Sequence, residues 1–158
     1  MKILLLDDDI ETYRILQEVA QFSSSEVIQV SDINEAKMLL EHRKDIDGIV
    51  AEVRLNGQPT WEILSFMRRN ENIEEIPFVI LAKELTEDEE AFFKHMKATA
   101  VLRKPFNPLD VFTEIAEDLK KKKGEEYVRD KFEEQEVDKS LLKKIIEKLV
   151  TILRRIIP

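Results

Sequence analysis

Five short apolar runs alternate along the chain with segments in which apolar residues recur at the spacing of a helix. The apolar runs cover residues 3–6, 27–30, 48–53, 77–81 and 98–102. The segments with helical spacing cover residues 10–22, 32–43, 61–67, 86–96 and 107–119. Short continuous apolar runs are typical of strands that are buried on both faces of a parallel sheet. The alternation therefore predicts an α/β domain with a doubly wound, five-stranded parallel sheet.

Local side-chain signals predict where three of these helices begin. Thr86 opens a capping box with the glutamate three residues later. Asn107 followed by Pro108 is an N-cap with a proline in the first turn. Either Ser31 or Asp32 can cap the second helix, and the sequence leaves that choice open.

Residues 139–158 carry the clearest amphipathic pattern in the chain. At about 100° per residue, the large aliphatic side chains fall in one half of the helical wheel and the charged ones in the other. The predicted self-association surface consists of Leu142, Ile145, Ile146, Leu149, Ile152, Leu153 and Ile156. Burial is worth about 1.5 kcal/mol or more for each large aliphatic side chain, so this surface needs a partner. A second copy of the chain is favoured, and another protein, the chain's own first domain and a membrane surface are the alternatives.

The composition excludes several classes of site. The 158 residues include no Cys, two His and three Gly, which excludes disulfide frameworks, cysteine-ligated metals and a glycine-rich phosphate loop. The net charge of −8 argues against nucleic acid as a partner, because phosphate binding needs a basic face. No apolar stretch is long enough to span a membrane and no signal peptide is recognisable, so a cytoplasmic location is expected.

The distribution of charge predicts the domain organisation. All of the acidic excess lies in residues 1–123, whereas residues 124–158 are balanced. The composition changes after the lysine run that ends at Lys123. We therefore expect a domain at 1–123, a charged linker or helix extension at 124–138, and an amphipathic helix at 139–158.

Charged residues follow the ends of the predicted strands. Asp7 and Asp8 follow the first strand and Glu52 interrupts the third. Lys104 follows the fifth strand. The functional crevice of a doubly wound sheet lies beyond the carboxyl ends of its strands, so these side chains are expected to converge there. Two outcomes are open: Lys104 pairs with Glu52 and Asp8, or Asp7, Asp8 and Glu52 hold Mg²⁺.

Four segments, in this order, resemble the receiver domain of two-component response regulators. Residues 3–9 look like the family's first strand and acidic pair, and residues 47–57 like the segment around its phosphoacceptor Asp. Residues 76–82 look like its fourth strand, and residues 101–106 like its fifth strand and Lys-Pro turn. The resemblance covers residues 1–119 and implies the flavodoxin-like receiver fold, an acidic pair that can hold Mg²⁺, and a lysine that neutralises a phosphoryl group.

The chain departs from the family's pattern at three positions. Glu52 stands where the family has its acceptor Asp, Ala82 where a Ser or Thr binds the phosphoryl group, and Val101 where an aromatic ring turns inward. Glu52 is one methylene longer than Asp, so its carboxylate reaches into the space of a phosphoryl group and can pair with Lys104. The departures predict a pseudo-receiver, a non-enzymatic signalling adaptor that requires no cofactor and binds a protein partner without aspartyl phosphorylation.

Two alternative functions stay open at this point. Because a glutamate can form an acyl phosphate, the chain could be a receiver phosphorylated on Glu52 or a nearby Asp, with Mg²⁺ at Asp7 and Asp8. It could also be a membrane-surface adaptor that uses its last helix, although that helix contains no Trp or Phe.

The resemblance also implies a surface for the protein partner. In receivers this surface is formed by the fourth helix, the fifth strand and the fifth helix. Here it would include Phe92, Phe93, His95 and Arg103, with one of the two adjacent phenylalanines packed in the core. Trp61, at the start of the third helix, is expected to be a packing residue.

Overall fold

The computed structural model describes residues 1–132 and, beyond them, the single positions 147, 150, 151 and 154. A five-stranded parallel sheet has the strand order β2-β1-β3-β6-β7, and β4 pairs with β5 in a small antiparallel hairpin. The strands are β1 (Lys2–Leu6), β2 (Glu26–Val30), β3 (Gly48–Ala51), β4 (Arg54–Leu55), β5 (Gln58–Pro59), β6 (Phe78–Ala82) and β7 (Ala100–Arg103). The helices are α1 (Ile10–Phe22), α2 (Ile33–His42), α3 (Trp61–Arg68), α4 (Glu87–His95), α5 (Pro108–Lys123) and α6 (Glu125–Phe132).

Helices cover both faces of the sheet, as the continuous apolar runs predict. Alternate residues of β1 face opposite sides: Ile3 and Leu5 belong to one core cluster, and Leu4 and Leu6 belong to the other. The first cluster is completed by buried residues of α1 and α5, and the second by buried residues of α2, α3 and α4. The predicted doubly wound, flavodoxin-like fold is therefore confirmed.

The predicted helix starts are confirmed by their hydrogen bonds. The Asp32 carboxylate accepts from the backbone N–H of Glu35 at 2.8 Å, so Asp32 rather than Ser31 caps α2. Thr86 opens α4 with both hydrogen bonds of a capping box. The Asn107 side-chain oxygen caps α5 by accepting from the backbone N–H of Leu109 at 3.0 Å.

The chain differs from the sequence-based expectation between residues 52 and 60. The third predicted strand ends at Ala51, and the residues after it form the β4–β5 hairpin. The turn at Asn56 and Gly57 has positive φ angles of 50° and 78°. The Thr60 hydroxyl donates to the backbone carbonyls of Glu52 and Val53, which ties the base of the hairpin to the end of β3.

Part of the segment predicted as a linker or helix extension, residues 124–138, packs on the domain. Gly124, with φ of 93°, separates α5 from the short helix α6. Tyr127 and Val128 of α6 contact the first core cluster. The Tyr127 hydroxyl donates to the carboxylate of Asp47 at 3.3 Å, and the Lys131 ammonium lies 3.2 Å from the same oxygen. The division of the chain at residues 123 and 138 stays a prediction.

Most of the predicted amphipathic helix lies outside the described residues. This applies to all of the proposed self-association residues: Leu142, Ile145, Ile146, Leu149, Ile152, Leu153 and Ile156. The four described positions in this stretch are helical and exposed. At one of them, the Thr151 hydroxyl donates to the carbonyl of Glu147 at 3.0 Å.

Candidate functional site

The carboxyl ends of β1, β3, β6 and β7 meet at one edge of the sheet. Asp7 directly follows β1, Glu52 follows β3 and Lys104 follows β7. Strands β1 and β3 are neighbours, so Asp7 and Glu52 lie side by side, and the long lysine side chain reaches them from the far side of β6. The structure therefore brings together three of the residues that the sequence analysis placed at this edge.

Lys104 is the centre of this cluster. Its ammonium nitrogen lies 2.7 Å from Oδ2 of Asp7, 3.1 Å from Oε2 of Glu52 and 3.6 Å from Oδ2 of Asp9. The Lys104 side chain is 13% exposed and that of Asp7 is 4% exposed. Three carboxylates thus share one largely buried cation, and we call Asp7, Asp9, Glu52 and Lys104 the carboxyl-edge cluster.

The Glu52 carboxylate is held by three donors. Its Oε1 accepts from the N–H of Val53 at 2.8 Å, and its Oε2 accepts from the N–H of Lys83 at 3.2 Å. The third donor is the ammonium of Lys104. Sequence reasoning missed the two backbone donors, because an N–H group at a strand end leaves no mark on residue type.

Burial and ion pairing shift the pKa in opposite directions for Asp7 and Lys104, the two most buried charged residues of the carboxyl-edge cluster. Burial raises the pKa of Asp7, and the hydrogen bond from Lys104 opposes this shift without cancelling it. Burial also acts to lower the pKa of Lys104, but the neighbouring Asp7 and Glu52 more than offset it and the pKa is raised. The lysine therefore remains an ammonium in the folded protein throughout the physiological range.

Asp9 belongs to the cluster, although the sequence analysis did not select it. Its carboxylate caps α1 by accepting from the N–H of Glu11 at 3.0 Å and from the hydroxyl of Thr12 at 3.2 Å. Burial acts to raise the pKa of Asp9, but these hydrogen bonds and the nearby Lys104 lower it. The sequence does contain a signal for this role, because the predicted helix begins directly after Asp9 and aspartate is a favoured N-cap residue.

The expected pairing of Lys104 with Asp8 is wrong. Asp8 is exposed, and its Oδ2 accepts from the N–H of Asn56 at 2.8 Å in the turn of the β4–β5 hairpin. Consecutive residues of an extended chain point to opposite sides, so Asp7 faces the lysine and Asp8 does not.

The same geometry bears on the predicted Mg²⁺ site at Asp7, Asp8 and Glu52. Two of these carboxylates face Lys104, and the third faces the hairpin turn. Within residues 1–132 and the four positions described beyond them, no group of three or more acidic or histidine side chains is arranged to hold a metal ion. This arrangement does not fit Mg²⁺ without movement of Lys104, and metal binding stays a prediction.

The other two positions at which the chain departs from the receiver pattern lie on β6 and β7. Ala82 is buried at the end of β6, and its carbonyl accepts from the N–H of Lys104 at 2.8 Å. Val101 is partly buried in β7 and packs against the second core cluster.

The predicted partner surface is corrected at one position. Phe93 is 1% exposed and belongs to the core, so it offers almost no surface to a partner, whereas Phe92 is 40% exposed. His95 and Arg103 are exposed. The Arg103 guanidinium lies 3.2 Å from a carboxylate oxygen of Glu90, which connects the end of β7 to α4.

Trp61 packs against another exposed ring rather than in the core. Its side chain is 41% exposed, and its ring meets that of Phe92 edge to face, with centroids 6.0 Å apart and an interplanar angle of 83°. The two exposed rings therefore form one continuous apolar surface.

No protein-family model and no curated protein matches this sequence. The fold is nevertheless similar to many solved receiver structures. A signal receiver domain from Vibrio parahaemolyticus is 20% identical with a TM-score of 0.69, over 80% of this chain and 95% of that one. The chemotaxis response regulator CheY4 of Vibrio cholerae is 24% identical with a TM-score of 0.61, over 76% and 96%. The Mn(2+)-bound form of the response regulator Rcp1 is 24% identical with a TM-score of 0.59, over 75% and 91%.

These similarities show that the chain has the fold of response regulator receiver domains. The fold places the carboxyl-edge cluster where the sequence resemblance put the phosphoacceptor site of that family. Across the described part of the chain, no helix is long and apolar enough to cross a membrane.

Proposed function

We propose that this protein is a non-enzymatic signalling adaptor, built on a pseudo-receiver domain that binds a protein partner without being phosphorylated. We further propose that residues 139–158 mediate its self-association. The observation that carries the first part is the position of the Glu52 carboxylate, which bonds to Lys104 and to two backbone N–H groups.

These contacts supply the charge balance that a phosphoryl group on a shorter Asp would otherwise provide. In the receiver family the lysine neutralises the phosphoryl group, and here Lys104 is engaged by Asp7 and Glu52. Charge-assisted hydrogen bonds are about twice as strong as neutral ones, so the cluster is stable without a modification. Glu52 acts in this proposal as a permanent substitute for the phosphorylated acceptor.

The neighbouring positions support a fixed state rather than a switch. Ala82 has no hydroxyl that could follow a phosphoryl group, and Val101 has no ring that could turn inward. A ligand or modification shifts a two-state equilibrium only if it interacts differently with the two states. With Ala82 and Val101 at these two positions, a phosphoryl group would interact almost equally with the two states and would shift the equilibrium little.

The protein partner is proposed to bind near α4 and β7. Phe92, His95 and Arg103 are exposed there, and they are an apolar ring, an imidazole and a guanidinium that a protein surface can contact. Aromatic and arginine side chains are enriched among the residues that dominate protein interfaces.

Treatment with acetyl phosphate or beryllofluoride in the presence of Mg²⁺ tests the proposal. We expect no mass gain in intact-protein mass spectrometry and no shift of the Val53 and Lys83 amide signals. A conventional receiver treated in parallel checks that the reagents are active. A phosphoryl adduct on Glu52, or amide shifts confined to the carboxyl-edge cluster, would establish a phosphorylatable regulator instead.

Restoring the acceptor separates the contributions of the three replaced positions. Glu52→Asp alone should not restore switching, because Ala82 and Val101 remain unchanged. Glu52→Asp combined with Ala82→Thr should accept a phosphoryl group more readily than either single variant, as measured by the adduct fraction at a fixed time. Full modification of the Glu52→Asp variant, with the amide shifts of an activated receiver, would contradict the role given to the other two positions.

A further inference from the structure

An apolar groove lies between the β4–β5 hairpin and α4. Its volume is about 520 Å³, and its apolar lining consists of Val53, Pro59, Trp61, Phe92 and Phe93. Trp61 and Phe92 are among the most exposed large apolar side chains in the described part of the chain. Exposed aromatic residues side by side in a groove are typical of a binding surface rather than of a solvated one.

The rim of this groove is acidic. Asp88 and Glu89, in the first turn of α4, line it together with a single cation, Arg54. Glu87 precedes them in the same turn. A ligand that fits both the lining and the rim is therefore apolar on one side and basic along its flanks.

The chain itself contains a segment with this chemistry. Residues 139–158 combine one aliphatic half with a polar half that is mainly basic. The charged residues of this segment are Lys139, Lys143, Lys144, Glu147, Lys148, Arg154 and Arg155. An amphipathic helix that lays its apolar face into a hydrophobic groove is a recurrent mode of recognition.

We propose that the groove binds the aliphatic face of residues 139–158 from a second copy of the chain. The proposal names the receptor for the self-association proposed above, and it rests on that self-association. Each copy offers one groove and one segment, so two copies can exchange segments reciprocally in a closed dimer. The groove accommodates a few aliphatic side chains, and the exchange forms this contact twice.

A second copy, rather than the same copy, is indicated by where the chain leaves the domain. Lys131 near the end of α6 contacts Asp47, which precedes β3, whereas the groove begins at Val53, which follows β3. From the end of α6 to Lys139 the chain spans at most about 25 Å when fully extended, so the segment of the same copy would use most of this reach to pass from one edge of the sheet to the other. A segment from another molecule reaches the groove without this constraint.

Trp61 provides a direct probe, because it is the only tryptophan in the chain. We expect the full-length protein to be a dimer in light scattering, with Trp61 shielded from acrylamide quenching. Dilution below the dissociation constant should expose Trp61 and shift its emission to the red in step with the loss of mass. A dimer in which Trp61 remains fully quenchable would overturn the proposal.

Two substitutions test the contact between the groove and the segment, one on each side. Phe92→Ser in the groove and Leu149→Asp in the segment should each raise the dimer dissociation constant at least about 30-fold, as expected for a hot-spot residue. Met38→Ser is the matched control, since Met38 is an exposed apolar residue on α2 that is 59% exposed and lies away from the groove. Circular dichroism checks that all three variants are folded.

The outcomes separate this inference from the proposed function. If Leu149→Asp gives monomers while Phe92→Ser leaves the dimer intact, the segments pair with each other, so the groove proposal fails and self-association stands. If the wild-type chain is a monomer at all concentrations, self-association itself fails. In that case, a shielded Trp61 would mean that the segment binds within its own chain, and an exposed Trp61 that the groove is empty.

Discussion

The two edges of the sheet each hold a buried aspartate beside a lysine, but they balance charge in different ways. At the carboxyl edge, the ammonium of Lys104 is shared by Asp7, Glu52 and Asp9. The cluster therefore keeps an excess of negative charge. Such an excess is costly in a buried place, and its presence at the crevice of a doubly wound sheet is typical of a functional site.

At the opposite edge of the sheet a single carboxylate is surrounded by several hydrogen-bond donors. Asp47, Tyr127 and Lys131 form what we call the amino-edge cluster. The single carboxylate of Asp47 accepts from the N–H of Lys2 at 2.8 Å and from the Tyr127 hydroxyl, and it pairs with Lys131. Three donors therefore share one carboxylate. The N–H of Lys2 belongs to β1, whereas Tyr127 and Lys131 belong to α6.

This difference in charge balance indicates that an aspartate–lysine pair has a different role at each edge of the sheet. The amino-edge cluster joins the two ends of the described domain and leaves no charge uncompensated, which is what an anchor for α6 requires. The carboxyl-edge cluster joins loops that follow separate strands and keeps carboxylates in excess. Replacing residues on each edge should therefore have consequences of different size and kind.

The largest effect is expected from Lys104→Met. Removing the ammonium leaves the carboxylates of Asp7 and Glu52 close together without a positive charge between them, which should lower the free energy of unfolding by about 3–5 kcal/mol. Chemical denaturation at neutral pH measures the loss. The loss should shrink in acid, where Asp7 takes up a proton. Lys94→Met is the control, because Lys94 pairs with Glu90 on the exposed face of α4. Equal losses in the two variants would show that the cluster is not a buried charge network.

A smaller effect is expected from Asp47→Ala at the amino edge. The variant leaves the Lys2 N–H and the Tyr127 hydroxyl without their acceptor, which should cost about 1–3 kcal/mol. Hydrogen exchange should then become faster in residues 125–132 but not at the carboxyl edge. Tyr127→Phe removes one of these bonds and should reproduce part of the effect. Unchanged exchange in α6 would mean that Tyr127 and Val128 hold the helix by apolar packing alone.

The carboxyl-edge cluster could be predicted from sequence, for a physical reason. Parallel strands end at a common edge, so residues that follow the apolar runs, such as Asp7, Glu52 and Lys104, must lie near one another. The choice between Asp7 and Asp8 could not be predicted. It depends on which way each carboxylate points after the strand, and on the β4–β5 hairpin that binds Asp8 through the Asn56 N–H.

The amino-edge cluster could not be predicted at all. Asp47 and Tyr127 are separated by 80 positions, and a hydrogen bond between such distant residues leaves no local periodicity. Two-residue strands such as β4 and β5 bury too little to produce an alternating pattern, so the hairpin that they form could not be predicted from the sequence. Helix α6 is short and highly charged, and Gly124 gave no indication of whether the chain continues or folds back.

The carboxyl edge should also lose stability at alkaline pH. The folded-state pKa of Lys104 is raised above the ordinary value of 10.5, so the charged lysine stabilises the fold. This stabilisation is fully present below the unfolded pKa and is lost as pH rises through the higher folded value. The difference in unfolding free energy between the wild type and Lys104→Met should therefore stay constant from neutral pH to about pH 10 and decrease above it. A difference that grows with alkaline pH would contradict the raised pKa.

The smallest effect on stability is expected one residue earlier, at Arg103. Its side chain is 56% exposed, and its pair with Glu90 lies at the surface, so Arg103→Met should change the unfolding free energy by at most about 1 kcal/mol. Lys104 and Arg103 are adjacent cations at the end of one strand, yet one is enclosed by carboxylates and the other faces solvent. Once a binding partner has been captured, loss of its binding to Arg103→Met at unchanged stability would assign Arg103 to the interface. Unchanged binding would remove Arg103 from the proposed partner surface and leave His95 to carry it, together with Phe92 only where the groove is not occupied by the segment of a second copy.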